Sequence, residues 1–170
     1  MYSWKDVINN SNDKEFILNV VKENGMLLDG ASNKLKDDKE VVMQAVTTDG
    51  GALEFASARL KADKEVVMKA LDTKGFIVCY ISDELKADKE VIKKAVKKDG
   101  QALYYASKEL RDDYDVVSEA VKQKGIIIKY ASSRLRSNEE IAIEAVKQDK
   151  LAYNYIEPEL RENEKIKELI

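Results

Sequence analysis

Hydrophobic and polar positions along this chain recur every 25 residues. Asp13 opens DKEFILNVVKENGMLLDGASNKLK and Asp38 opens DKEVVMQAVTTDGGALEFASARLK. The same frame restarts at Asp63, Asp88, Asp113 and Asn138, and an unfinished seventh copy starts at Asn163. A fixed period without insertion marks a repeat architecture, because one such unit cannot bury its own apolar face and must stack on its neighbours. Numbering positions 1 to 25 from the opening residue, positions 4, 5, 8 and 9 are mostly Val, Ile, Leu and Ala. That spacing places them on one face of a helix. Position 1 is Asp or Asn, the preferred N-cap types, and position 3 is acidic in the six full copies, as the positive end of a helix dipole favours. Position 8 is alanine in five copies, which implies a close helix approach.

Position 13 is glycine at Gly25, Gly50, Gly75, Gly100 and Gly125. A left-handed residue ending the first helix is the expectation for these glycines. Helix A is then predicted over positions 2 to 12. Helix B follows at once, with apolar residues at 15, 16, 19 and 23. Serine at position 20 in five copies, and Glu157 before the lone Pro158 in the sixth, leaves two readings. Either position 20 caps a separate short turn over 21 to 24, or helix B is continuous and only the sixth copy breaks it; the first is preferred. Before the repeats, Ser3 and Asp6 resemble a capping box, which predicts a short helix from Trp4 to about Asn9. Trp4 is expected to cover the open end of the stack. The expected fold is all-α: an α-solenoid of about six 25-residue two-helix repeats with short terminal caps. Residues 1–12 form the N-terminal capping segment, 13–162 the six repeats, and 163–170 a partial seventh repeat or C-terminal cap.

Composition narrows the function. The chain has 170 residues, of which 44% are hydrophobic, enough for a folded core. Its 29 Lys and Arg residues against 32 acids give a net charge of −3, a poor balance for binding polyanions. The single cysteine, Cys79, excludes an internal disulfide and points to a reducing, cytoplasmic setting. No apolar run reaches bilayer length, so no membrane association is expected. Histidine is absent, which removes His-based triads and imidazole metal sites. No catalytic residue, cofactor, metal or small-molecule substrate is expected.

The pattern D-K-E-V-V-x-x-A-V followed by G-x-A-L-x-Y-A-S-x-x-L-K resembles the tandem repeats called domain of unknown function 4116, across about residues 13 to 162. The resemblance implies helical repeats and assigns no catalytic residue.

Several residues invite a chemical reading. The acids of positions 1 and 3 recur in the manner of caps, and Asp112, Asp113 and Asp115 lack the Gly and distal Glu of a calcium loop. Position 24 is a basic ladder of Lys36, Lys61, Lys86, Arg111, Arg136 and Arg161. The simplest expectation is neutralisation by the acids that open the next copy. Position 18 is aromatic in five copies, Phe55, Tyr80, Tyr105, Tyr130 and Tyr155, and packing between repeats is expected of those rings rather than base stacking. Positions 14 and 17 vary most. Solenoids hold their core pattern constant and vary the face that meets a partner. Phe76, Cys79, Tyr104, Ile126, Lys129 and Asn154, all at positions 14 or 17, are the candidate partner-binding residues. The leading expectation is a non-catalytic scaffold that binds a protein or peptide. Single-stranded nucleic acid, or a purely structural spacer role within a larger effector, is the alternative.

Overall fold

Each copy opens on a capped helix because its first side chain carries an oxygen. In the computed structural model, which describes residues 2–170, Asp38 accepts from the N–H groups of Glu40 and Val41 at 3.0 and 3.3 Å. Asp63 and Asp88 do the same, and Asn138 accepts from Ile141 at 3.0 Å. Helix A spans Lys14–Glu23, Lys39–Thr48, Lys64–Ala70, Lys89–Lys98, Tyr114–Gln123 and Glu139–Gln148. Ser3 and Asp6 form the expected capping box on the helix Trp4–Asn9. No strand occurs among the described residues, so the chain has an all-α repeat fold.

Helix B departs from expectation in type. The segments Gly25–Gly30, Gly50–Phe55, Gly75–Cys79, Gly100–Tyr105, Gly125–Tyr130 and Lys150–Tyr155 are 3₁₀ helices. A tighter winding ends by position 18 and frees position 20, whose backbone N–H donates to the position 24 carbonyl of the preceding copy. Ser57 donates to Lys36 at 2.9 Å, and Ser132 to Arg111 at 3.0 Å. An N–H committed across copies cannot continue a helix, so a separate short turn follows, as preferred from the sequence. Ser57 and Ser132 cap those turns by accepting from Leu60 and Leu135. In the sixth copy Pro158 opens the corresponding turn, Pro158–Glu162, where its missing N–H costs nothing.

The glycines of position 13 are not left-handed: no glycine has a positive φ. Their reason is steric. A Cβ on Gly25 would stand 2.3 Å from the carbonyl oxygen of Ala45, on Gly50 2.2 Å from that of Ala70, and on Gly125 2.1 Å from that of Ala145. Each of these alanines is position 8 of the following copy. Glycine and alanine are therefore two sides of one contact. At Lys150, where the sixth copy has no glycine, the side chain donates to the carbonyl of Ile170 at 3.0 Å.

The chain divides into two compact units, Met1–Leu85 and Lys86–Ile170. In the first, Lys14–Glu23 packs on Lys39–Thr48, and that helix on Lys64–Ala70, with the 3₁₀ segments forming a second layer in the same order. In the second, Lys89–Lys98, Tyr114–Gln123 and Glu139–Gln148 pack in sequence, ending on Glu164–Lys167, again with a 3₁₀ layer beside them. Each core is Val, Ile, Leu and Ala from positions 4, 5, 8, 9, 15, 16, 19 and 23, and no polar or charged described residue is buried. The N-terminal helix is seated by Val7, which is fully buried, rather than by Trp4, which is 48% exposed. The first copy has Gly30 where the others carry an aromatic because a Cβ there would lie 2.6 Å from Val7 Cγ1.

Ion pairing also corrects expectation. The acids of positions 1 and 3 are neutralised by the position 2 lysine of the preceding copy, not by the position 24 ladder. Lys14 reaches Asp38 and Glu40 at 2.7 and 2.8 Å, Lys39 reaches Asp63 and Glu65, and Lys89 reaches Asp113 and Asp115. In the fifth copy Tyr114 takes the place of that lysine and donates to Glu140 at 2.7 Å. Burial pushes the carboxyls of Asp38, Asp63 and Asp113 up, but the lysine and the capped N–H groups outweigh it and hold them below the ordinary value of 3.8.

Candidate functional site

A 3₁₀ segment that buries positions 15 and 16 against two helices must turn positions 14, 17 and 18 away from the core. Five of the large exposed hydrophobic side chains stand there: Phe76, Tyr104, Tyr105, Leu151 and Tyr155.

In the first unit, Phe76 is exposed and meets Tyr80 edge to face at 6.4 Å, with Lys74 Nζ 5.9 Å above its ring. Cys79 is half-buried. The Tyr80 phenol is pushed up to about 12, first by burial and then by its hydrogen bond to Glu54, so it stays protonated. Lys61, from the ladder, lies over the Tyr80 ring at 6.0 Å. The position 18 ring here packs between copies, as expected.

In the second unit the structure joins three of the residues singled out from sequence. Tyr104 is 54% exposed. Its ring lies 4.9 Å from Tyr105, edge to face, and 4.9 Å from Tyr130 of the next copy. Lys129 holds its ammonium 4.9 Å from the Tyr130 ring and 5.9 Å from that of Tyr155. Asn154 is exposed beside Tyr155, its carbonyl accepting from Arg161 at 3.1 Å. Ile126 is half-buried and joins none of these ring contacts. The result is a strip of tyrosines threaded by one lysine.

Sequence reasoning missed Tyr105 and Tyr155, because position 18 was read as packing alone. The signal was the neighbouring position 17, where Tyr104 and Lys129 stand ready to prop the rings outward. It also missed how unequal the position 24 ladder is. Lys36 pairs with Asp29 at 3.7 Å, Arg136 with Glu157 at 2.8 Å, and Arg161 donates to the carbonyls of Asn154 and Ile156.

Two polar brackets recur, one in each unit. Asp37 accepts from the hydroxyl of Ser57 and from Arg59 Nε at 3.0 Å; Asp112 accepts from Ser132 and from Arg134 Nε at 3.0 Å. Both carboxyls are held below the ordinary value, first by the serine hydroxyl and then by the arginine. Each bracket ties one copy to the next. Among the described residues no group of three or more Cys, Asp or Glu is placed to hold a metal ion. None of the described helices is long and apolar enough to cross a membrane.

A family model described as a domain of unknown function (DUF4116) matches residues 13–61, 63–111 and 113–161. Each match spans two of the 25-residue copies. No curated protein and no solved structure matches the chain.

Proposed function

We infer the role of this chain, which belongs to the DUF4116 family of domains of unknown function, from its own surface: it is a non-catalytic repeat protein that binds a segment of another protein. The observation that carries this reading is the strip Tyr104, Tyr105, Tyr130 and Tyr155 with Lys129 among the rings. Aromatic side chains left in water next to a cation are the usual anchors of protein interfaces. They offer large contact area at low conformational cost. The edge-to-face packing of Tyr104 on Tyr105 occupies ring faces that a base-per-repeat reader would keep open, which favours a protein over single-stranded nucleic acid. The balanced net charge of −3 points the same way. With one cysteine and no need of a disulfide, the protein works in the cytoplasm.

The test uses the full chain as bait in lysate of the source cells, with and without nuclease, followed by affinity measurement on what is recovered. Replacing Tyr104, Tyr105 and Lys129 together by Ala is expected to abolish binding. Tyr104 and Tyr105 are partly exposed and Lys129 is half-buried, so the same change should shift stability by about 1 kcal/mol or less per residue. Lys122→Ala with Lys147→Ala, on exposed positions of helix A, is expected to change neither. Recovery of nucleic acid that disappears with nuclease would replace this reading. So would binding that survives the tyrosine variant and fails in the helix A variant.

A further inference from the structure

The position 24 ladder has one member without a partner. Lys36, Arg136 and Arg161 are engaged by a carboxylate or by carbonyls, and Lys61 lies over a tyrosine ring. The Arg111 guanidinium makes no hydrogen bond and no close ion pair, and its Nε is shut from water with no acceptor; the Nε of Arg161 is shut off likewise, but there a terminal nitrogen is engaged. A guanidinium held in that way is costly unless an acceptor arrives.

Comparison of neighbouring copies shows what is missing. Arg136 is satisfied by Glu157, position 20 of the following copy, which it grips with Nε at 3.1 Å and a terminal nitrogen at 2.8 Å. The same place opposite Arg111 is Ser132, whose hydroxyl is already committed to Asp112 and to the N–H of Leu135. A groove of about 300 Å³ opens there, lined by Lys108, Arg111, Tyr130, Ala131, Ser132 and Ser133. No acid lines it. Glu109, a near neighbour in sequence, is held below its ordinary range first by its own backbone N–H, then by Ser107, and further by the charges of Lys108 and Arg111, without a direct contact to either; Asp112 is bracketed by Ser132 and Arg134. Two cations, Lys108 and Arg111, and one uncommitted hydroxyl donor, on Tyr130, line a space whose lining includes no carboxylate. Ser133 accepts from Arg136, and its hydroxyl is also hydrogen-bonded to Glu157.

We propose that this groove binds the carboxylate of an Asp or Glu side chain on the partner segment, seated on Arg111 as Glu157 is seated on Arg136. The inference rests on the protein-binding reading and names the partner's chemistry: an acidic group delivered beside the tyrosine strip, of which Tyr130 is a shared wall. Bidentate geometry favours a carboxylate on a guanidinium, and Lys108 adds charge without geometry.

The experiment needs no identified partner. The full chain is labelled with nitrogen-15, and the Arg111 Nε–H resonance is assigned by its loss in Arg111→Lys, a variant that keeps the side chain type found at Lys36 and Lys61. N-acetyl-glutamate N-methylamide is titrated in, with the glutamine and phosphoserine analogues as parallel arms. A saturable shift of the Arg111 resonance with the glutamate probe and none with the glutamine probe is expected. Ser132→Glu, which builds the copy-six acid into the seat, is expected to keep the fold and to block the probe. No saturable shift overturns the proposal, whatever the tyrosine variants do to partner binding. So does binding of the glutamate probe that persists unchanged in Ser132→Glu. Binding of the phosphoserine probe about tenfold tighter than the glutamate probe would overturn it in favour of a phosphorylated segment.

Discussion

At the scale of single residues, the position 13 glycines show why composition at a site does not name its cause. Helix-ending glycine and close-contact glycine look identical in sequence; only the φ angles and the 2.1 Å approach of a Gly125 Cβ to the Ala145 carbonyl separate them. The two causes make different predictions. A left-handed site accepts Asn, whereas a steric site rejects every side chain. Gly125→Ala and Gly125→Asn are both expected to destabilise the protein, by about 1–3 kcal/mol or more, because the obstacle is backbone that cannot rotate away. Lys150→Ala, at the same position in the sixth copy, is expected to stay within about 0.5 kcal/mol. Urea unfolding checks all three, and an Asn variant with the wild-type midpoint would sink the steric account.

At the scale of elements, Gly30 and the helix Trp4–Asn9 form one device. The first copy gives up the aromatic that its siblings carry, and Val7 fills the vacated space. Gly30→Tyr restores the repeat pattern and is expected to expel the N-terminal helix while the repeats stay folded. The loss is bounded by the burial of Val7 and its surroundings, on the order of 3 kcal/mol or less. Trp4 is the only tryptophan, so its emission reports on this helix alone. A red shift and a fall in anisotropy are expected, with one cooperative unfolding transition retained. Unchanged emission would mean that the helix is seated by something other than this glycine.

At the scale of the whole molecule, charge is organised as ladders of capped acids and lysines. Asp38, Asp63 and Asp113 carry lowered pKa values, as do Glu139 and Glu157, the last two through Lys165 and Arg136 first. Their contribution is complete above the ordinary values of 3.8 and 4.5 and is lost as pH falls through the lowered ones. Lys14, Lys39 and Lys89 carry raised values, from Asp38, Asp63 and Asp113 respectively. Their contribution is complete below the ordinary 10.5 and is lost as pH rises through the raised values. With no histidine to titrate between, Tm is expected to be flat across neutral pH and to fall at both extremes, more gently in high salt because these pairs face water. A step in Tm, read by calorimetry, within roughly the histidine range of pH 5 to 8 would contradict this.

The period of 25, the capped helix A and the core positions were legible in the amino-acid sequence because each depends on contacts that repeat locally: Asp38 with Val41, or Val and Ala at helical spacing. The resemblance read from the same pattern matched the family for the same reason, since its motif consists of structural residues. What only the tertiary structure decided lies between copies. A 3₁₀ winding and a helix B of the same residues share one apolar pattern, and the choice is made by an N–H of Ser132 that must reach the carbonyl of Arg111. The lysine that neutralises Asp63 is Lys39, 24 residues earlier, while the nearer Lys61 lies over Tyr80. Tyr104 was legible as a variable residue. That its ring meets Tyr105 and Tyr130, and that Arg111 stands unpaired where Arg136 does not, depends on distances across the stack that no spacing along one copy encodes.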